Sequence, residues 1–296
     1  MSLNRVLLPG ATGGRQCRCA CGCLTRAPRY PSDLTDEQWQ LLEPLLPVML
    51  CDTALGGRPE KHHRRTMVNA LLYVLDNGIK WRALPADFPP WQTVWGMFAR
   101  WAGDGVAADI TDLLRPRVRV AAGRDGEPPA GIVDAQSAHE SAEGVVPAAS
   151  SGFDHHKKVN GRKRHLLTDT MGLLITVAVS PASAQHRDGA AVLLDCARGR
   201  ARLGRVWGDK AYDGGAFAAW GPADELGITI EVVTQPKGQK GFQVLPRRWV
   251  IERTHAWITR RRRARDYERC SRHHAAWVHW AANYQMTRRL TQNPGL

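Results

Sequence analysis

The 296-residue chain has no apolar run approaching the roughly 20 residues that a membrane-spanning helix needs. Its opening, MSLNRVLLPGATGG, holds too short a hydrophobic stretch for a secretory signal. Both absences argue against a membrane protein and favour a cytoplasmic one. No internal repeat is present, which sets aside solenoid architectures. Acidic residues are in deficit, with 28 Asp and Glu against 41 Lys and Arg and a formal net charge of +13, so a polyanionic partner is expected. Paired cysteines are also lacking. Cys17, Cys19, Cys21 and Cys23 recur at every second position, while Cys51, Cys196 and Cys270 are scattered. Zinc sites space their cysteines as C-x₂₋₄-C, which this run does not match. Residues 1–29, rich in Cys, Gly and Arg and without periodicity, read as a disordered tail.

What is present begins near Tyr30. In YPSDLTDEQWQLLEPLLP, Thr35 followed by Gln38 is a capping-box signature. Trp39, Leu42, Leu45 and Leu46 then give an apolar helical face, and Pro47 stops it. A Gly56-Gly57-Arg58-Pro59 turn leads to the basic cluster Lys61, His62, His63, Arg64 and Arg65. A second helix follows, with Val68, Leu71, Leu72 and Leu75 on one face, ending at Asn77-Gly78. Trp91, Val94, Trp95, Phe98 and Ala102 mark a third by their i, i+3, i+4, i+7 spacing. A fourth is expected from Val106 to Leu114. Residues 30–118 therefore read as a small all-helical domain. It is either a DNA reader of the helix-turn-helix kind or a packing domain with solvated charges.

After a linker at about 119–130, rich in Arg, Gly and Pro, the periodicity changes. Ile132-Val133-Asp134 reads as a buried strand, 137–151 as a loop, and 163–169 and 173–180 as strands joined by a turn at Met171-Gly172. A helix from Asp188 to about Arg198, a strand over 205–208, a helix over 215–225 and a strand over 228–233 follow. Long helices are expected over 247–263 and 273–290. This order suits a mixed sheet covered by helices over residues 131–292, an α/β architecture of ribonuclease H-like element order.

Three acids stand out. Asp134 in GIVDAQS and Asp209 in VWGDKAYDG each follow an apolar strand, and Glu252 in RRWVIERTHAW lies on a helix that would cross their sheet edge. Cleavage of a phosphodiester needs an activated oxygen nucleophile and a stabilised leaving oxygen. Two Mg²⁺ ions about 3.5–4 Å apart provide both, and three carboxylates suffice to hold them. Each acid also has a plainer reading: a strand-end cap for Asp134, a turn residue or helix N-cap for Asp209, an ion-pair partner for Glu252.

At this point the residues carry a family resemblance. From about Tyr30 to Leu290 the chain resembles the DDE transposases of bacterial insertion sequences, in the group typified by insertion sequence five. YPSDLTDEQWQLLEPLLP and GRPEKHHRRTMVNALLYVLDNGIKWRALPADFPPWQTVW are similar to that group's N-terminal region. GIVDAQS resembles the block of its first Asp, KKVNGRKRHLLTDTMGLL its central hairpin, WGDKAYDG the block of its second Asp, and LPRRWVIERTHAW that of its Glu. The resemblance implies Asp134, Asp209 and Glu252 as catalytic and metal-ligating residues, with Asp209 rather than Asp213 in the second place and Arg248 one helical turn before the Glu. It also implies a ribonuclease H-like catalytic domain and Mg²⁺ as cofactor, with Mn²⁺ as a substitute. Hydrolytic nicking and strand transfer at the element's terminal inverted repeats follow from it, with double-stranded repeat and target DNA as partners. We expect a homodimer on DNA, no membrane partner, and association with the bacterial nucleoid. The chain departs from the pattern at Ala135, where Ser is frequent, at His255, where Phe is commoner, and in RRRRARDYE, one residue shorter than usual.

The basic residues then find roles as phosphate contacts: Lys157, Lys158, Arg162, Lys163 and Arg164 beside the hairpin, and Arg248 and Arg260, Arg261, Arg262 and Arg263 near Glu252. Trp249 and Trp257, which flank Glu252, fit the core face of the helix better than a stacking platform for an unpaired base. His155, His156, His165 and His186 read as structural or phosphate-contacting rather than as metal ligands. Two other functions compete with transposition: a decayed or repurposed sequence-specific DNA-binding protein, and a metal-dependent nuclease that cuts without joining.

Overall fold

The computed structural model describes residues 26–54, 56–139, 146–198, 202–212, 227–233 and 246–292. The cysteine run 17–23, the helix expected over 215–225, and Asp213, Lys237 and Lys240 lie outside the described residues. Seven α-helices and six strands are numbered here in chain order among the described residues. Helices α1 (Asp36–Leu42), α2 (Arg64–Asn77), α3 (Trp91–Asp104) and α4 (Val106–Ala121) come first. The capping box of α1 forms as its sequence requires: the Gln38 N–H donates to Thr35 Oγ1 (3.3 Å) and the Thr35 N–H to Gln38 Oε1 (3.1 Å). Of the expected tail, Arg26 is in fact packed; it pairs with Asp33 and Asp87 and lies 4.1 Å from the Phe88 ring centroid.

The sheet follows: β1 (Ala130–His139), β2 (Gly152–Asp154), β3 (Val159–Asp169), β4 (Leu174–Pro181), β5 (Arg205–Gly208) and β6 (Thr229–Val232). Helix α5 (His186–Ala197) lies between β4 and β5, and α6 (Pro246–Arg260) and α7 (Ser271–Gln292) close the chain. The strand order is β2-β3-β1-β5-β6, with β4 also on β3. Pairs β1–β3 and β3–β4 are antiparallel, and β1–β5 and β5–β6 are parallel. The sheet is therefore mixed, flanked by helices and preceded by a helical region.

Alternation along the strands separates two faces. Ile132, Leu166 and Val177 join one apolar cluster with Ile251 and Ile258 of α6 and Trp277 of α7. Val133, Leu167 and Ile175 face Ala190, Leu193 and Leu194 of α5. Contact with α5 is close: a Cβ on Gly189 would fall 2.1 Å from His165 Nδ1.

Three expectations are revised. Asp134 does not end its strand; β1 continues to His139 because its far half pairs with β3, and the region expected as a loop over 137–151 begins inside it. The boundary expected at 118 falls inside α4, which runs to Ala121. Arg115 and Arg119 are buried there, and Leu114 and Val118 belong to the same cluster as Ile132 and Leu166. Finally, α6 stops at Arg260 instead of continuing to 263, because Arg261 adopts an extended conformation and the chain turns into a short 3₁₀ helix, Arg262–Arg265.

The β3–β4 turn seats α6. Asp169 Oδ1 accepts from the N–H groups of Met171 (2.9 Å) and Leu173 (2.8 Å), and buried Arg119 of α4 pairs with the same carboxylate. Gly172 takes φ +80°, and its carbonyl accepts from Thr254 Oγ1 of α6 (2.9 Å). A Cβ there would lie 2.6 Å from that hydroxyl. Gly172→Ala should therefore cost about 2 kcal/mol, from left-handed strain and the displacement of α6; urea unfolding measures it.

Burial, aided by the positive charges of His186 and Lys163, pushes the His165 imidazole down to about 4. An unfolded histidine titrates near 6.5. As pH falls from about 6.5 to 4, the unfolded chain takes up a proton that the folded chain refuses, so stability declines, by about 3 kcal/mol from this residue at the lower end. His165→Gln should show a smaller stability loss between pH 7 and 4.5 than the parent, read from denaturation at each pH.

Candidate active site

Parallel pairing of β1 and β5 matches Ile132 with Trp207. Asp134 stands two residues further along β1, and Asp209 directly follows the end of β5 at Gly208, so both acids lie at the same end of this strand pair. Adjacent strands lie about 4.8 Å apart. Asp134 shares the face of Ile132, which α6 covers. Glu252 on α6 completes the set, and the side chains of Asp134, Asp209 and Glu252 keep 23%, 26% and 43% of their surface exposed, enough to meet a ligand.

Helix α6 is placed over this edge by several contacts. Arg247 pairs with Glu231 of β6 (3.6 Å), and its guanidinium lies 4.4 Å from the Trp207 ring centroid. Trp207 Nε1 donates to Glu231 Oε2 (2.6 Å). One turn before Glu252, Arg248 Nη2 sits 3.4 Å from Glu252 Oε1 and 3.9 Å from Asp209 Oδ2, bridging the two. One turn after it, buried His255 places Nε2 3.3 Å from Asp134 Oδ2. Burial pushes the Asp134 carboxyl up, but the His255 contact, the Ala135 N–H and Lys157 outweigh it and leave the group below its ordinary value. The His255 imidazole is pushed down by burial despite Asp134, so it is neutral at pH 7. Lys157 Nζ donates to the Ala135 carbonyl (3.3 Å), next to Asp134.

Asp209 and Glu252 thus meet at Arg248, while Asp134 lies beside His255 and Lys157. His255 reaches the site as well; its signals in the sequence were its place one turn beyond Glu252 and its departure from the Phe commoner there. The donor set is carboxylate oxygen, which suits a hard divalent cation. Among the described residues no three such groups already converge as a cage. Arg248 stands between Asp209 and Glu252, and His255 occupies Asp134.

The expected phosphate contacts divide. Lys157, Lys158, Arg248, Arg260 and Arg262 are exposed or half-exposed. Arg162, Lys163, Arg164 and Arg263 are buried, which corrects their assignment to a DNA-facing patch. Arg162 donates to the carbonyls of Glu268 (2.6 Å) and Arg269 (2.8 Å) and lies 3.3 Å from Asp266. Arg164 is held by the Ala264 carbonyl and Gln136. Lys163 donates to the Ala184 carbonyl (2.8 Å). Arg263 Nε donates to Glu268 Oε1 (2.7 Å), which also accepts from Trp277 Nε1 (2.9 Å). Arg261 pairs with Asp76 of α2. Arg162 and Arg164 lie on the α6-facing side of β3, Lys163 on the side of α5, and Arg261 and Arg263 in the segment that crosses the sheet, where every charge has to find a partner. At the N-terminal cluster, Arg64 pairs with Glu60 and Arg65 with Asp36. Trp249, expected on the core face of α6, is 46% exposed.

Removing Arg162 leaves fully buried Asp266 without its cation. Arg162→Ala should therefore destabilise the fold by about 3–5 kcal/mol, whereas Lys158→Ala on the surface should change stability by less than about 0.5 kcal/mol. Thermal and urea denaturation of the two variants separate these outcomes.

Comparison with known proteins agrees with this geometry. Residues 34–111 match a family described as candidate transposases of the IS4/5 family. Residues 125–286, containing all three acids, match the family described as the transposase DDE domain. A segment of 96 residues is 32% identical to the "Insertion element IS402 uncharacterized 16.2 kDa protein" of Burkholderia cepacia. That segment is 30% of this chain and spans 61% of the relative's length. With the DDE domain matched over more than half of its residues, the chain belongs to the DDE transposase family.

Proposed function

We propose that the protein is the transposase of an insertion sequence, acting on the double-stranded terminal inverted repeats of its own element and on target DNA. The observation that supports this reading is the parallel β1–β5 pairing, with Asp134 on β1 and Asp209 just past β5 on the side of α6, the helix of Glu252, within the matched DDE domain. Support for a ribonuclease H-like fold comes from the order β4-β3-β1-β5-β6, antiparallel on one side of β1 and parallel on the other.

DDE transposases as a family use divalent metal ions, and here Asp134, Asp209 and Glu252 would hold Mg²⁺ or, in its place, Mn²⁺. When bound, the ions supply the charge that activates the attacking oxygen and stabilises the leaving one. The chain's own residues do the rest. His255 fixes the rotamer of Asp134. Arg248 neutralises Asp209 and Glu252 before loading, and its guanidinium is free to take a DNA phosphate once those carboxylates have another cation. Lys157 and Lys158 add positive charge at the mouth of the site. Two element ends have to be processed together, so the working form on DNA is a homodimer. The alternative of a DNA-binding protein without catalysis is not favoured, because the match to the transposase DDE domain covers all three acids.

The test is incubation of purified protein with labelled DNA carrying the element's end, in Mg²⁺ or in EDTA, beside Glu252→Gln. We expect metal-dependent cleavage at the repeat boundary, lowered about 100-fold or more in the variant. Binding without cleavage under every metal condition would favour the decayed protein, and cleavage without joining to target DNA the simple nuclease.

A further inference from the structure

Beyond the acidic site, the seam between α6 and α7 concentrates arginine on aromatic rings. Trp257 carries two guanidinium groups, Arg253 at 4.6 Å and Arg289 at 4.7 Å from the ring centroid. One turn along, Tyr284 carries Arg261 at 4.6 Å and Arg288 at 5.7 Å. Arg261 has Asp76 as counter-ion. Among the described residues, Arg253, Arg288 and Arg289 have no carboxylate at ion-pair distance. Burial pushes the Arg289 guanidinium down, and the like charge of Arg253 adds to it. Two cations are thus held against one indole, and Asp169 offsets only part of their mutual repulsion.

The seam is continuous with the active site. Each residue of a helix turns by about 100°, so on α6 the sequence of directions leading away from Glu252 runs through Arg260 and Arg253 to Trp257 and then α7. Glu252, Ala256 and Arg260 are exposed along this route. Trp257 and Arg289 edge a groove floored by Ile258, Ala282 and Met286. Guanidinium groups laid flat on aromatic faces are pre-ordered and weakly hydrated; Arg253 gives one N–H to the Met171 carbonyl (3.3 Å), and the remaining N–H groups of the seam can contact phosphate.

We propose that the α6–α7 seam, through Arg253 and Arg289 on Trp257 and Arg288 on Tyr284, is a second DNA contact that seats backbone phosphates of the duplex beside the cleavage site. The inference rests on the transposase reading of the acidic site. Its contacts are to backbone, so it positions DNA without reading sequence. Charge decides the occupant: a duplex presents a phosphate on each strand every 3.4 Å along its axis, a regular row of anions matching a row of arginines.

The experiment measures binding of full-length protein carrying Glu252→Gln to a duplex containing the element's end, over a range of salt concentrations. Arg288→Gln with Arg289→Gln should flatten the dependence of log K on log salt by about 1.8, two phosphate contacts at about 0.9 each. Hydroxyl-radical protection should be lost on one side of the repeat boundary. Arg288→Lys with Arg289→Lys, which keeps the charge, should restore most of the salt dependence. An unchanged salt dependence and footprint in the Gln pair, with DNA still bound, would overturn the seam proposal and leave the transposase reading standing. A change in self-association without DNA, and none in DNA binding, would mark the seam as an interface between copies and also overturn it. Failure of the Glu252→Gln parent to bind DNA at any salt would overturn both.

Discussion

Buried guanidinium groups on β3 are the constraint around which the catalytic end of the molecule is arranged. Arg162 and Arg164 point into the space between the sheet and the C-terminal helices, where a charged group without partners costs several kcal/mol. Their partners are mostly main-chain carbonyls of the segment between α6 and α7. That segment must therefore lie across β3, and α6 must end where it begins. Burial pushes the Asp266 carboxyl up while Arg162 draws it back. The helix bearing Glu252 is thus held at its far end by arginine, at its middle by the Gly172 turn, and at its start by Arg247 against Glu231 and Trp207.

Electrostatic balance at the acidic site follows from the same elements. Three carboxylates on one edge repel one another, and each is met by a basic group from α6 or from the loop before β3. Arg248 serves two of them and His255, kept neutral by burial, serves the third. The rigidity comes from β1 and β5, and the adjustable parts are long side chains on a helix face.

Much of this was legible in the sequence, for identifiable reasons. The acids could be found because each follows or accompanies a strong apolar pattern, and strand parity fixes the side on which they emerge. The capping box of α1 and the hairpin turn at Gly172 were local, and local signals survive folding. What failed was the reading of arginine. Composition equates a basic run with a surface, yet Arg162, Arg164 and Arg263 are interior, since a guanidinium can satisfy several carbonyls that nothing else in reach would satisfy. The same habit placed a linker at 119–130, where α4 instead continues to Ala121 and Arg119 buries against the sheet. Helix α6 stops early because Arg261 turns extended, which no helical periodicity could reveal. Trp249 misled in the opposite sense, as an aromatic left in solvent.

The β1–β5 register has a consequence for how such a chain can diverge. Asp134 and Asp209 are far apart in sequence, and their alignment is written in backbone hydrogen bonds between two short parallel segments. Insertions and deletions in the connections between those segments leave that alignment untouched. Descendants of this sequence can therefore rebuild those connections while keeping the pairing; a one-residue slip between β1 and β5, by contrast, would turn every side chain of the slipped strand to the other face of the sheet in a single step.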